Sequence, residues 1–154
     1  MDKESIVASL RSEVRAQYER AVAALDGARE AATGEDTRAE SKYDTRGLEA
    51  SYLAAGQAEQ ADELSRALSL LDSAAFPPFG LDDPIAQGAL IEVERDGDIL
   101  YFLLAPAGGG LSVETEEGDS VTILGPAAPL RSQLEGKRAG EIAGSPPVAI
   151  LEVF

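Results

Sequence analysis

Residues 3–33, KESIVASLRSEVRAQYERAVAALDGAREAAT, lack proline, hold a single glycine at Gly27, and are dominated by Ala, Glu, Arg and Leu. A run of such strong helix formers predicts one continuous helix from Lys3 to about Thr33. A heptad reading puts Val7, Val14, Ala21 and Ala28 at one seam position and Leu10, Gln17, Ala24 and Ala31 at the other. The seam begins with branched side chains and thins to alanine.

A second helix is expected from about Thr37 to Asp72. Its apolar stripe, at Gly47, Ala50, Ala54, Ala58, Ala61, Leu64, Leu68 and Leu71, has its members three or four apart and runs from small to large. The two gradients match only if the chain folds back, so that Val7 and Leu10 face Leu68 and Leu71 while the alanines face one another. Residues 1–75 therefore read as an antiparallel coiled-coil hairpin. Small seam residues let the axes approach closely, and ~30 residues at about 1.5 Å each make a slender rod of roughly 45 Å. Gly34 is placed to close the first helix, and Thr37 with Glu40 fits a capping box for the second. The tip, residues 34–44, crowds Glu35, Asp36, Glu40 and Asp44 among Arg38 and Lys42, with Arg46 just beyond.

Pro77-Pro78 ends the helical pattern, and residues 76–80 form a linker whose Phe76 and Phe79 are expected to pack rather than swing freely. Residues 81–154 then change period. Ala89–Glu94 and Ile99–Leu104 flank Arg95-Asp96-Gly97-Asp98, a strong hairpin signal, and Ser120–Leu124 and Val148–Val153 also read as strands. Gly108-Gly109-Gly110 lacks the Gly-Lys-Ser/Thr and helix of a phosphate loop and reads as a turn. A short helix is expected from Pro129, closed at Gly136. The fold class is α+β: a helical hairpin followed by a small, mainly antiparallel sheet with one short helix.

The 154 residues hold 28 acidic and 13 basic side chains, for a net charge of −15. Residues 1–75 carry 9 basic and 15 acidic groups, and residues 76–154 carry 4 and 13. Such a chain is repelled by a phosphate backbone, so direct DNA binding is not expected. The chain has no Cys and no His, which excludes thiolate, imidazole and zinc chemistry. The charged N-terminus Met1-Asp2-Lys3-Glu4-Ser5 lacks a signal-peptide core, and no run approaches the ~20 apolar residues of a membrane span. A soluble cytoplasmic protein with no membrane partner is expected.

The segment Ala128-Pro129-Leu130-Arg131-Ser132-Gln133-Leu134-Glu135-Gly136-Lys137-Arg138-Ala139-Gly140-Glu141, with Ile150-Leu151-Glu152-Val153 at the end, resembles the closing pattern of the Gre-type transcription elongation factors. That pattern is Ser-Pro-x-x-x-x-Leu-x-Gly-Lys-x-x-Gly-Asp followed by Ile-Leu-x-Val, and Ala128 stands where it has serine. The resemblance implies a coiled-coil hairpin joined to an FKBP-like domain, with bacterial RNA polymerase as partner. The C-terminal domain would dock beside the polymerase's secondary channel, Pro129 at its contact, while the hairpin enters the channel. Acidic residues at the tip would help hold a Mg²⁺ shared with the polymerase active site and not bound by the free protein. The polymerase, not this chain, would then cleave backtracked RNA, and the nascent 3′ end would be met only indirectly.

Anchored on Tyr43, the family's tip pattern Gly-Asp-Leu-Ser-Glu-Asn-x-Glu-Tyr puts Asp36 on the first acid and Ala39 on the second, with Glu40 beside it. Asp36 and Glu40 are the candidate catalytic and metal-binding residues, since hard divalent cations take carboxylate oxygens. Each has a structural alternative: Asp36 as a turn acid favoured by a helix dipole, Glu40 in the capping box. Arg38, Lys42, Tyr43 and Arg46 are candidate polymerase or RNA contacts, the basic three being equally readable as solvated helix charges. A channel-binding regulator without cleavage activity is the alternative function. A prolyl isomerase would need an aromatic pocket, for which the second half offers Tyr101, Phe102 and Phe154. A dimeric coiled-coil scaffold is the last reading, against which a working monomer is expected.

Overall fold

The structure is a computed structural model and describes residues 1–33 and 45–154. Helix α1 spans Lys3–Thr33 and α2 spans Arg46–Ser73. They are followed by β1 (Leu90–Arg95), β2 (Asp98–Leu104), β3 (Ser112–Glu114), β4 (Ser120–Leu124), α3 (Pro129–Leu134), β5 (Ile142–Ala143) and β6 (Val148–Val153). By compactness the chain divides into two units, Met1–Ser12 with Ser69–Phe154, and Glu13–Leu68.

The helices pair antiparallel within each unit. In the first, the Arg11 guanidinium donates to the Leu71 carbonyl, at 3.1 Å from Nε and 2.9 Å from Nη2. In the second, Gln17, Arg20, Ala21 and Ala24 line a groove together with Gln57 and Gln60. As the position on α1 rises, its partner on α2 falls. The expected α2 stripe is what the helix turns inward: Ala61 and Leu71 are buried and Gly47, Ala50, Ala54, Ala58, Leu64 and Leu68 are half-buried.

Two sequence expectations shift. On α1 Ala24 and Ala31 are exposed, whereas Leu25 is buried and Ala32 half-buried. A helix at 3.6 residues per turn drifts against a strict seven-residue repeat, so in the second half of α1 this side of the seam has moved one position. The start of α2 is the other: Thr45 is not helical, and its carbonyl accepts the first helical bond from Glu49 N at 2.9 Å. The proposed capping pair Thr37 and Glu40 lies outside the described residues.

The strands form a single sheet in the order β3-β4-β2-β1-β6-β5. β1 and β2 make the expected hairpin, and Asp96 and Gly97 both have positive φ, 55° and 87°, as a type I′ turn requires. The sheet is mixed, because β4 pairs with β2 in parallel while its other neighbour pairs are antiparallel. The connection between β2 and β4 has the length a parallel crossover needs and carries β3, which folds against the outer side of β4. Within that connection the triple glycine serves close packing: a Cβ on Gly109 would sit 3.0 Å from the Gly125 backbone. The turn reading of that loop holds.

One sheet face carries the core of Ile91, Val93, Phe102, Leu104, Ile150 and Val153, against which α3 packs Leu134. The other face buries Leu90, Leu103, Val113, Val121 and Ile123. The linker is fixed rather than loose. Lys3 Nζ donates to the carbonyls of Pro77 (2.6 Å) and Phe154 (2.9 Å) and lies 5.0 Å above the Phe79 ring, while the Arg11 guanidinium sits 5.7 Å above Phe76.

Candidate functional site

Asp36, Arg38, Glu40, Lys42 and Tyr43 lie outside the described residues. Of the other candidates, Arg46 is the exposed first residue of α2 and Pro129 is the exposed first residue of α3. Among the described residues no group of three or more Asp and Glu side chains is placed to hold a metal ion.

The α2 end next to this segment carries residues that the seam analysis passed over. Leu48, Tyr52 and Leu53 are 56%, 70% and 56% exposed, side chains larger than any the inward stripe uses there. Their signal in the sequence is phase: they fall between the stripe positions Gly47, Ala50 and Ala54, one helical turn apart. Thr45 Oγ1 donates to Glu49 Oε1 at 3.3 Å beside them, which orders the first turn.

The motif behind the family resemblance is built as follows. Pro129 takes the first helical position, where its missing N–H costs nothing, and Leu134 is fully buried beneath the helix. Gly136 (φ 82°) and Gly140 (φ 86°) are both left-handed, a backbone state that side chains resist. Gly136 N donates to Ile85 O at 2.8 Å and Gly140 N to Ile150 O at 2.8 Å, which ties the segment to the stretch before β1 and to β6. Ala128 occupies the N-cap with extended backbone and supplies no side-chain hydrogen bond, which the serine of the family pattern could.

Beneath Pro129, Arg131 is buried, and its guanidinium fork is fully engaged. Nε donates to Glu135 Oε1 (2.7 Å), Nη1 to Ala105 O (2.8 Å) and Nη2 to Gln87 Oε1 (2.7 Å). Gln87 in turn donates to Leu104 O at 3.2 Å. This network fixes α3, and with it Pro129, against the end of β2. An Arg inside a polar motif gave no sequence signal of burial.

Two groups have shifted acidity. Burial pushes the Lys3 amine down to about 8. Tyr101 is raised, by desolvation first and then by the negative charges of Glu92 and Asp119.

No family model matches the chain, and no curated protein does. Among solved structures it is similar to GreA factor homolog 1 (Gfh1) of Thermus thermophilus, at 18% identity over 94% of each chain with a TM-score of 0.37. It is also similar to Gfh1 of Thermus aquaticus, at 20% identity over 90% of this chain and 94% of that one, TM-score 0.34. A further structure, described as the transcription factor Gfh1, is 22% identical over 94% of this chain and 93% of that chain, TM-score 0.38.

Proposed function

We propose that this chain is a Gre-like factor that binds bacterial RNA polymerase at its secondary channel and stimulates the polymerase's cleavage of backtracked RNA. The chain acts as a factor and not as an enzyme. The observation that carries the reading is the motif at residues 128–153: its proline, leucine and two glycines have structural uses here, as the helix start, a buried core residue and left-handed turns, and its end forms the last strand. The antiparallel helix pair, with residues 34–44 between Thr33 and Thr45, supports the hairpin's role as the inserted element.

In this reading α3 and Pro129 face the polymerase, and the hairpin delivers Asp36 and Glu40. Bound with the polymerase, Mg²⁺ would supply Lewis-acid stabilisation at the scissile phosphate, while the chain's part is to place carboxylate oxygens. The exposed Leu48 and Tyr52 would meet the channel wall.

A second reading, a channel-binding regulator without cleavage, is favoured by Ala39 at the family's second acidic position. The test is Mg²⁺-dependent transcript cleavage on a stalled complex, with polymerase binding measured in parallel. Stimulation by the wild-type chain that Asp36→Asn abolishes without loss of binding supports the first reading. Binding without cleavage leaves the second, and absence of binding sinks both.

A further inference from the structure

One end of the second sheet face is open to solvent, and the register shows which side chains share it. Ile99 lies opposite Glu94, Glu94 opposite Ala149, and Ala149 opposite Ile142, which makes one cross-strand row. In the next row Tyr101 lies opposite Glu92, and Glu92 opposite Glu152. Neither row contains a basic side chain.

Two features of this face are unfavourable in the free chain. Glu92 and Glu152 are like charges directly opposed, a cross-strand pairing that destabilises a sheet. Ile99 and Ile142 are 44% and 67% exposed on the same face. Tyr101 is raised by desolvation first and then by the charges of Glu92 and Asp119. Leu151, the extra residue where the β1–β6 register slips, is 40% exposed beside them.

We propose that this face of β1, β2, β5 and β6 is a docking surface for a basic amphipathic helix of a partner protein. Lys or Arg side chains of the partner separate the Glu92 and Glu152 carboxylates, and its apolar stripe covers Ile99, Tyr101 and Ile142. Charge complementarity selects this occupant. A second copy of the chain would bring the same carboxylates face to face, and a nucleic acid would be repelled. The surface lies apart from α3 and does not depend on the polymerase reading.

The experiment titrates the full ¹⁵N-labelled chain with a synthetic Lys/Leu peptide patterned as an amphipathic helix, and with a scrambled peptide of the same composition. The expected result is saturable binding with the largest amide shifts at Glu92, Ile99, Tyr101, Ile142 and Glu152. The scrambled peptide, and the Glu92→Gln/Glu152→Gln variant, should each bind about tenfold more weakly. These substitutions relieve repulsion and leave the fold intact. Equal binding of both peptides, or shifts centred on the Glu114–Glu117 turn or on α2, overturns the proposal. Concentration-dependent self-association through the same residues without peptide overturns it in favour of a dimer.

Discussion

Within Met1–Ser12 and Ser69–Phe154 the buried side chains are large: Ile6, Leu10, Leu71, Leu90, Leu103, Leu104 and Ile150 are shielded almost completely. Within Glu13–Leu68 the buried side chains among the described residues are Val14, Ala21, Leu25, Ala28 and Ala61. Helical content is higher in the second unit, yet its buried side chains among the described residues are fewer and mostly smaller, and buried apolar area sets the hydrophobic contribution. The difference teaches that secondary structure and stability are distributed separately here. A core of large side chains anchors one unit, while a seam with many alanines keeps the other's helices close at the expense of strength.

The comparison is broken if core truncation proves cheap in the first unit. Leu104→Ala removes a fully buried side chain from the cluster of Ile91, Phe102 and Val153, and should cost about 2–5 kcal/mol in urea unfolding. Ala21→Gly in the seam of the second unit should cost only about 1 kcal/mol, chiefly through helix propensity. Native-state hydrogen exchange should agree, with slow amides in β1 and β2 and faster ones along α1 beyond Val14. Similar protection in both units would dissolve the distinction.

Arg131 asks whether a polar group can anchor as firmly as an apolar one. Arg131→Met deprives Ala105 O and Gln87 Oε1 of donors in a buried setting, and a loss of about 2–3 kcal/mol is expected. Arg131→Lys should recover only part, since an ammonium cannot reproduce the three-way fork. Full recovery by lysine would mean that charge rather than geometry holds α3.

What the sequence disclosed follows from how physical information is stored in it. The α2 stripe from Gly47 to Leu71 was legible because periodicity is local, and Asp96-Gly97 was legible because a two-residue hairpin demands positive φ. The parallel pairing of β4 with β2 was not, since alternation identifies a strand but not its neighbour. β3 and β5, at 3 and 2 residues, are too short to alternate. At the candidate site Pro129 fell at its expected helix start, whereas Arg131 stayed hidden, because its burial depends on Gln87 and Ala105, distant in sequence.

The smallest expected effect bears on why the second unit is weak. Gly27 and Gly56 sit inside α1 and α2, with nothing within 4 Å of a Cβ built at either position and neither in the left-handed region. Packing therefore does not require them, and each lowers helix stability by about 0.5–1 kcal/mol relative to alanine. Gly27→Ala and Gly56→Ala should each raise the unfolding free energy by that increment, read as a higher urea midpoint at unchanged slope, and the double variant should be additive because neither position buries a shared neighbour. Slower hydrogen exchange confined to Glu13–Leu68 would locate the gain in the hairpin. If, on the proposed reading, the stabilised double variant then stimulates transcript cleavage less while binding polymerase as well as before, the weakness of the seam serves movement of the helix pair. Unchanged cleavage would leave the glycines without a functional reason.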